Sequence, residues 1–260
     1  MAISWIKRLL ELAGDQEQKK STASVRSLSQ IKISALDPIA PEAIRKSDDP
    51  LFGIKKGGKE VANKLFTAMS SERGIHLESL LCALGSMAGY ACQVSVREEF
   101  VRQQGRLEKE VFIVVDSTQN GNRYFFGDLL NKPLAESKYS IWSLSSGASQ
   151  KLGLTQLIDL HDIFRHVTET LGQTSFGVPR LPENHAAREL PENYVRHLWP
   201  QLFPVAQRYC EKPDQWPVLF GVAVQEILFA SKGLIDPQIA LQIVMESAVP
   251  MSKINLCEMA

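Results

Sequence analysis

The chain lacks an excess of charge of either sign, paired cysteines and long apolar runs. Its 260 residues carry 29 basic and 29 acidic side chains, whereas a nucleic-acid binder normally has a basic excess on one face. We therefore expect no nucleic-acid partner. The four cysteines form no CxxC pair, which predicts reduced thiols and a cytoplasmic location. No apolar run approaches the roughly 20 residues of a membrane-spanning helix, so the sequence predicts no membrane span, and it shows no signal-peptide pattern.

Motifs for catalysis and for metal binding are also scarce. The GxSxG motif of many serine hydrolases is absent. Residues 53–60 fit the phosphate-binding pattern GxxxxGK, but Glu60 replaces the hydroxyl that would bind magnesium, so we interpret them as the lead-in to a helix. Asp162, His166 and Glu169 share one helical face, which we interpret as the solvated side of an amphipathic helix. The sequence thus predicts no metal site and no cofactor.

A β-hairpin is the clearest structural signal. Residues 111–117 form a β-branched and aromatic run, and residues 123–126 form a second one. Asn120-Gly121 lies between them, and both residue types tolerate the positive φ of a tight turn. The pattern predicts a small antiparallel sheet, with a third short strand at residues 139–144 and a loop at residues 145–153.

The remainder of the chain indicates helices, and the predicted fold class is α+β and predominantly helical. Residues 59–70 and 77–91 have helical spacing, and the small residues of the second helix predict close packing. Residues 93–101 fit a helix or a strand, and we favour the helix. A C-terminal helical bundle is predicted from helices at residues 154–171, 191–210, 217–231 and 237–247. The domain prediction is an amphipathic helix at 1–14, a polar arm at 15–50, an α+β core at 51–153 and a helical region at 154–260.

The turn out of the hairpin is the preferred place for a binding site. Gly127 allows a sharp turn and Asp128 can cap the helix that follows. Polar groups beside aromatic walls are typical of ligand pockets. The candidate ligand-binding residues are therefore Asp116, Asp128, Asn131 and Trp142.

The sequence does not identify an activity, and two hypotheses from different classes remain open. The first is a non-enzymatic binding or assembly protein, which the N-terminal helix and arm favour because they suit self-association or the capture of a protein partner. It predicts that removal of residues 1–50 abolishes assembly. The second is an enzyme, possibly a hydrolase, with a pocket near Asp128 in which a histidine meets carboxylates of raised pKa.

Overall fold

A computed structural model describes residues 49–256. The predicted N-terminal helix and nearly all of the predicted arm lie outside these residues. The described part is built from nine α-helices and two strands, which we number in chain order. The α-helices are α1 (Phe52–Met69), α2 (Leu77–Val96), α3 (Glu108–Val111), α4 (Asp128–Asn131), α5 (Ile141–Lys151), α6 (Leu160–Glu169), α7 (Pro191–Tyr209), α8 (Gln215–Ala230) and α9 (Pro237–Met251).

The predicted fold class is confirmed. The structure is 63% helical, and one small antiparallel sheet packs on the helices. Strand β1 (Ile113–Asp116) pairs with β2 (Arg123–Phe126), and π-helical turns at Arg97–Gln103 and Lys132–Glu136 continue α2 and α4. Residues 93–101 are helical, as favoured from the sequence. Helix α8 packs mainly against α1 and α2, and α9 packs mainly against α2, so the C-terminal helices share their core with the N-terminal half of the described chain.

Helix α2 is the centre of the core. Every residue of α2 except Val94 is buried. A Cβ atom added to Gly89 would lie 2.0 Å from the carbonyl oxygen of Ala248 in α9, and one added to Gly85 would lie 2.5 Å from that of Val244. The close packing predicted from the small residues is therefore a direct contact between the backbones of α2 and α9.

The same helix passes a simple test for a membrane span. Together with its π-helical continuation, Leu77–Gln103 is long and apolar enough to cross a membrane by length and composition. However, 94% of its most apolar window is buried inside the protein, and core helices commonly pass this test.

The hairpin has both predicted strands, but β1 is shorter than the predicted residues 111–117 because Val111 ends α3, and the turn is longer than predicted. The register pairs Val114 with Phe125 and Val115 with Tyr124, and residues 118–121 form the loop between the strands. Gly121 has a φ of 72°, whereas no other residue type in the described range has a positive φ. The turn therefore uses the conformational freedom of the glycine but not that of Asn120.

Two predictions for residues 139–153 were wrong. Residues 141–151 form helix α5 instead of a third strand and a loop. Ser140 caps the helix by accepting a hydrogen bond from the Ser143 amide at 3.1 Å. Ile141 and Ala148 are buried on one side of α5, so the stretch is apolar with the period of a helix. Capping and this longer period outweigh the β-branched and aromatic composition of residues 139–144.

The prediction of a helix over residues 154–171 was too long. Helix α6 begins at Leu160, where Asp159 caps it by accepting a hydrogen bond from the Asp162 amide at 3.1 Å. The other error is at the N-terminal side of α1, which was predicted to begin at residue 59 and begins at Phe52. The glycines of the phosphate-loop-like segment are therefore inside the helix. A Cβ atom at Gly57 would lie 2.3 Å from the Leu219 side chain of α8, so close helix packing explains this glycine.

Candidate functional site

The four candidate residues from the sequence have different surroundings. Asp116 is exposed at the end of β1, where its carboxylate accepts a hydrogen bond from Arg123 Nε at 2.7 Å. Asp128 is exposed at the first residue of α4. Asn131 accepts a hydrogen bond from Lys253 Nζ at 3.1 Å. Trp142 is half-buried in α5 and packs against the hydrophobic core. The contacts of the described residues do not join these four side chains into one pocket.

Lys253 is the group that sequence reasoning missed at this place. Its side chain is buried, and its Nζ atom lies 5.4 Å from the centre of the Phe126 ring and 5.3 Å from that of Phe164. Burial lowers the pKa of Lys253 to about 8, because a low-dielectric surrounding disfavours the charged amine. Through Asn131 and the two rings, Lys253 joins the C-terminal residues to α4, the hairpin and α6.

The C-terminal residues also pair with β2, and this pairing together with the β1–β2 register shows which groups of β1 face outward. The Phe125 amide donates to the Lys253 carbonyl at 2.8 Å, and the Asn255 amide donates to the Arg123 carbonyl at 3.0 Å. Backbone groups along a strand alternate in direction, so Tyr124 and Phe126 direct theirs to β1. Their partners in the register are Val115 and Ile113. Val114 and Asp116 therefore direct their backbone N–H and C=O groups away from β2.

This outer side of β1 is an open sheet edge within the described chain. Among residues 49–256, no backbone hydrogen bond joins Val114 or Asp116 to a further strand. The large apolar side chain of Ile113 on this strand is 66% exposed. We call residues 113–116 the β1 edge. It offers unpaired backbone groups and apolar surface in one place.

The hairpin beneath the β1 edge is held firmly. Phe125 is fully buried, and its ring lies 5.0 Å from that of Phe112. The Arg97 guanidinium stands 4.7 Å from the centre of the Phe125 ring and forms an ion pair with Glu108. On the opposite face, Tyr124 is buried against Phe176 with ring centres 4.8 Å apart. The β1 edge is thus presented by a rigid support, which lowers the entropic cost of binding.

A second group of functional side chains lies at the start of α2. His76 Nδ1 is 2.9 Å from Ser79 Oγ, and His76 Nε2 is 3.7 Å from Glu78 Oε2. The other carboxylate oxygen of Glu78 is 3.0 Å from His185 Nδ1. The Ser79 hydroxyl also accepts a hydrogen bond from the Arg188 amide at 3.0 Å. A serine that contacts a histidine, which in turn contacts a glutamate, is the arrangement used in nucleophilic catalysis.

The surroundings of this cluster argue for a structural role. Ser79 is 1% exposed and Glu78 is 3% exposed, so a substrate has no access to either. Burial lowers the pKa of His76, and nearby Arg188 and His185 act in the same direction while Glu78 opposes them. His76 also caps α2 by accepting a hydrogen bond from the Ser79 amide at 3.3 Å. The cluster therefore fastens the loop that carries His185 and Arg188 to the first turn of α2.

The same loop, residues 172–189, is fastened a second time by Arg180. Its guanidinium donates to Glu246 of α9 at 2.9 Å and to Asp162 of α6 at 2.7 Å. Asp162 also pairs with Arg165, so this carboxylate accepts hydrogen bonds from two guanidinium groups. Within residues 49–256, no group of three or more His, Cys, Asp or Glu side chains has the geometry to hold a metal ion.

The described surface also contains a cleft. It has a volume of about 270 Å³ and lies at the turn between α8 and α9, where Leu152, Lys232 and Pro237 are among its lining residues. None of the four predicted site residues lines it. Its one charged lining residue is Lys232, so its lining has no second ionisable side chain to act as the partner acid or base.

Comparisons with known proteins leave the function to be argued from these surfaces. No protein family model, no curated protein and no solved structure matches the chain. The β1 edge, the polar cluster at α2 and the cleft at α8 and α9 are therefore judged on their own chemistry. Of the three, the β1 edge is the one that is both exposed and chemically unsatisfied.

Proposed function

We propose that this protein is a non-enzymatic binding or assembly protein that captures an extended polypeptide segment along the β1 edge. The observation that supports the proposal is the orientation of the Val114 and Asp116 backbone groups away from β2, beside the exposed side chain of Ile113. An incoming strand would extend the sheet and pair these groups. Main-chain hydrogen bonds supply affinity in this mode of recognition, and alternate side chains supply specificity.

The register defines what such a segment should look like. Side chains on one face of the added strand would lie beside Ile113 and Val115, and those on the other face beside Val114 and Asp116. The first face is apolar and the second ends in a carboxylate that Arg123 already pairs. A segment with alternating β-branched and polar residues fits this surface best.

The enzymatic alternative, a hydrolase with a pocket near Asp128, has no observation in its favour. Asp116 and Asp128 are both exposed. The carboxylate that does meet histidines, Glu78, is closed to solvent.

The test uses a substitution that changes one outward backbone group. Val114→Pro removes the N–H that faces away from β2, so the β1–β2 ladder keeps its hydrogen bonds, and proline is tolerated on edge strands. Val114→Ala is the matched control, since it shortens the same side chain and keeps the N–H. The probe is a fluorescein-labelled panel of short peptides with alternating β-branched and polar residues, and fluorescence anisotropy measures binding.

We expect peptides of this kind to bind the wild type and Val114→Ala, and to bind Val114→Pro at least tenfold more weakly. Circular dichroism should show that both variants keep the helical content of the wild type. Equal binding by the proline and alanine variants would overturn the proposal, as would a panel in which no peptide binds.

A further inference from the structure

We propose that the strand captured by the β1 edge is β1 of a second copy of this chain, in antiparallel orientation about a two-fold axis at Val115. This inference rests on the proposed function and names its partner. It follows from the register of β1, because the outward-facing backbone groups complement their own copies. A closed, two-fold pairing of this kind gives a dimer rather than a filament.

The hydrogen bonds of such a pair can be written from the register. With Val115 opposite Val115 of the other copy, Val114 lies opposite Asp116, and both direct their N–H and C=O groups outward. Each Val114–Asp116 pair exchanges two hydrogen bonds, as hydrogen-bonded pairs of an antiparallel ladder do. The two-fold axis repeats the exchange on the other side. Every outward backbone group of Val114 and Asp116 then has a partner.

The side chains and charges agree with this register. Asp116 faces Val114 of the other copy, so the two carboxylates are not opposite each other, and Arg123 of the same hairpin pairs each of them. Ile113, 66% exposed, lies opposite Ser117 and next to the apolar Val115 pair. The strand residues I-V-V-D include no lysine or proline, which are residues that commonly protect edge strands from self-association. The formal net charge of +0 adds no long-range repulsion between copies.

The size of the contact sets the expected strength. A stable dimer buries about 1,200–2,000 Å² in total, and a four-residue strand pair with the exposed side chain of Ile113 covers less than that. The expected dimer is therefore weak and reversible, with a dissociation constant in the micromolar range or above. Its population should depend on protein concentration within the range of sedimentation experiments.

The first experiment is sedimentation equilibrium of the full chain from micromolar to millimolar concentration. The wild type and Val114→Ala should associate to dimers, and Val114→Pro should remain a monomer over the same range. A wild type that stays monomeric would overturn the inference. A dimer that persists in Val114→Pro would also overturn it, because the contact would then lie on another surface.

A second experiment tests the register itself. In a non-hydrogen-bonded pair the two Cα atoms are about 4.5 Å apart, a distance that permits a disulfide bond. Val115→Cys should therefore form a covalent dimer under mild oxidation. Val114→Cys is the matched control and should form much less of it, because its position meets Asp116. Equal cross-linking of the two variants would contradict the register, and the wild type gives the background from native cysteines.

The two proposals fail in distinguishable ways. If the chain is monomeric and alternating peptides still bind Val114→Ala but not Val114→Pro, self-pairing is wrong and capture of another polypeptide stands. If Val114→Pro changes neither association nor peptide binding, both proposals are wrong.

Discussion

Replacing Gly89 with alanine would place a methyl group against the backbone of α9. The added Cβ atom would lie 2.0 Å from the Ala248 carbonyl oxygen and 2.6 Å from its carbonyl carbon. Since these are backbone atoms, no rotation of a side chain can relieve the contact. Helix α2 or α9 would have to move by more than an ångström. The contact between these two helices is the most extensive one between elements of the described chain, so such a movement disturbs much of the core.

Two opposing effects determine the magnitude. Alanine is favoured over glycine inside a helix by about 1 kcal/mol. Overpacking a core costs about 1–3 kcal/mol and occasionally more, and a clash with backbone belongs at the upper end. We therefore expect Gly89→Ala to lower the free energy of unfolding by about 2 kcal/mol, the difference between the two effects.

Gly147 provides the matched control. It lies inside α5, and a Cβ atom there meets nothing within 4 Å. Gly147→Ala should therefore raise the free energy of unfolding by about 0.5–1 kcal/mol, the gain from helix propensity without the clash. In urea unfolding followed by circular dichroism, the two variants should shift in opposite directions. Gly89→Ala equal to or more stable than Gly147→Ala would refute the close contact between α2 and α9.

Three further predictions concern ionisable groups. Burial holds the pKa of Lys253 at about 8 in the folded chain, below its ordinary 10.5. As the pH rises from 8 to 10 the folded chain therefore loses this proton before the unfolded chain does, and the free energy of unfolding of the wild type rises. Lys253→Met should lack that rise, and equal profiles of unfolding free energy against pH would disprove the prediction. The pKa of His76 in the folded chain lies below its ordinary 6.5. As the pH drops below 6.5 the unfolded chain therefore takes up the proton before the folded chain does, and the free energy of unfolding falls. Chemical denaturation should show a shallower fall with pH for His76→Asn, and a fall as steep as that of the wild type would count against the buried neutral imidazole. Arg180→Met leaves Glu246, which is 3% exposed, without its ion pair and should lower the free energy of unfolding by about 3 kcal/mol. The control is Arg165→Met, which removes a more exposed guanidinium and should lower the free energy of unfolding by less than about 1 kcal/mol. Similar losses in the two variants would contradict the anchoring role of Arg180.

Local patterns in the sequence predicted the elements whose stability is local or periodic. The hairpin, the small-residue helix α2 and the three C-terminal helices all follow from spacing, glycine and proline placement. Residues 139–144 were misjudged because β-branched and aromatic composition was weighed above the capping serine. A composition that suits a strand also suits a buried helix when its apolar residues recur with helical period. Ser140 was the available signal for the helix.

The polar cluster and Lys253 depend on contacts that no local pattern contains. His185 meets Glu78 across 107 residues of chain, and Lys253 meets Asn131 across 122 residues. Each of these side chains is unremarkable in its own segment. Only the packing of α9 and of the loop at residues 172–189 brings the partners together. The sequence pointed to Asn131 because it follows the turn at Gly127. It did not point to Lys253, the observed partner of Asn131.

The β1 edge shows why a correct hairpin prediction still leaves the binding surface undetermined. Shifting the register by one residue would turn the backbone groups of Ile113 and Val115 outward in place of those of Val114 and Asp116. The turn residues do not decide between the two, because the loop at residues 118–121 is longer than the tight turn that Asn120-Gly121 indicates. The C-terminal residues fix the orientation of β2, since Phe125 and Arg123 use their backbone groups to bind Lys253 and Asn255. The observed register of the hairpin then places the backbone groups of Val114 and Asp116 on the outer side, so the free side of β1 depends on both long-range pairings.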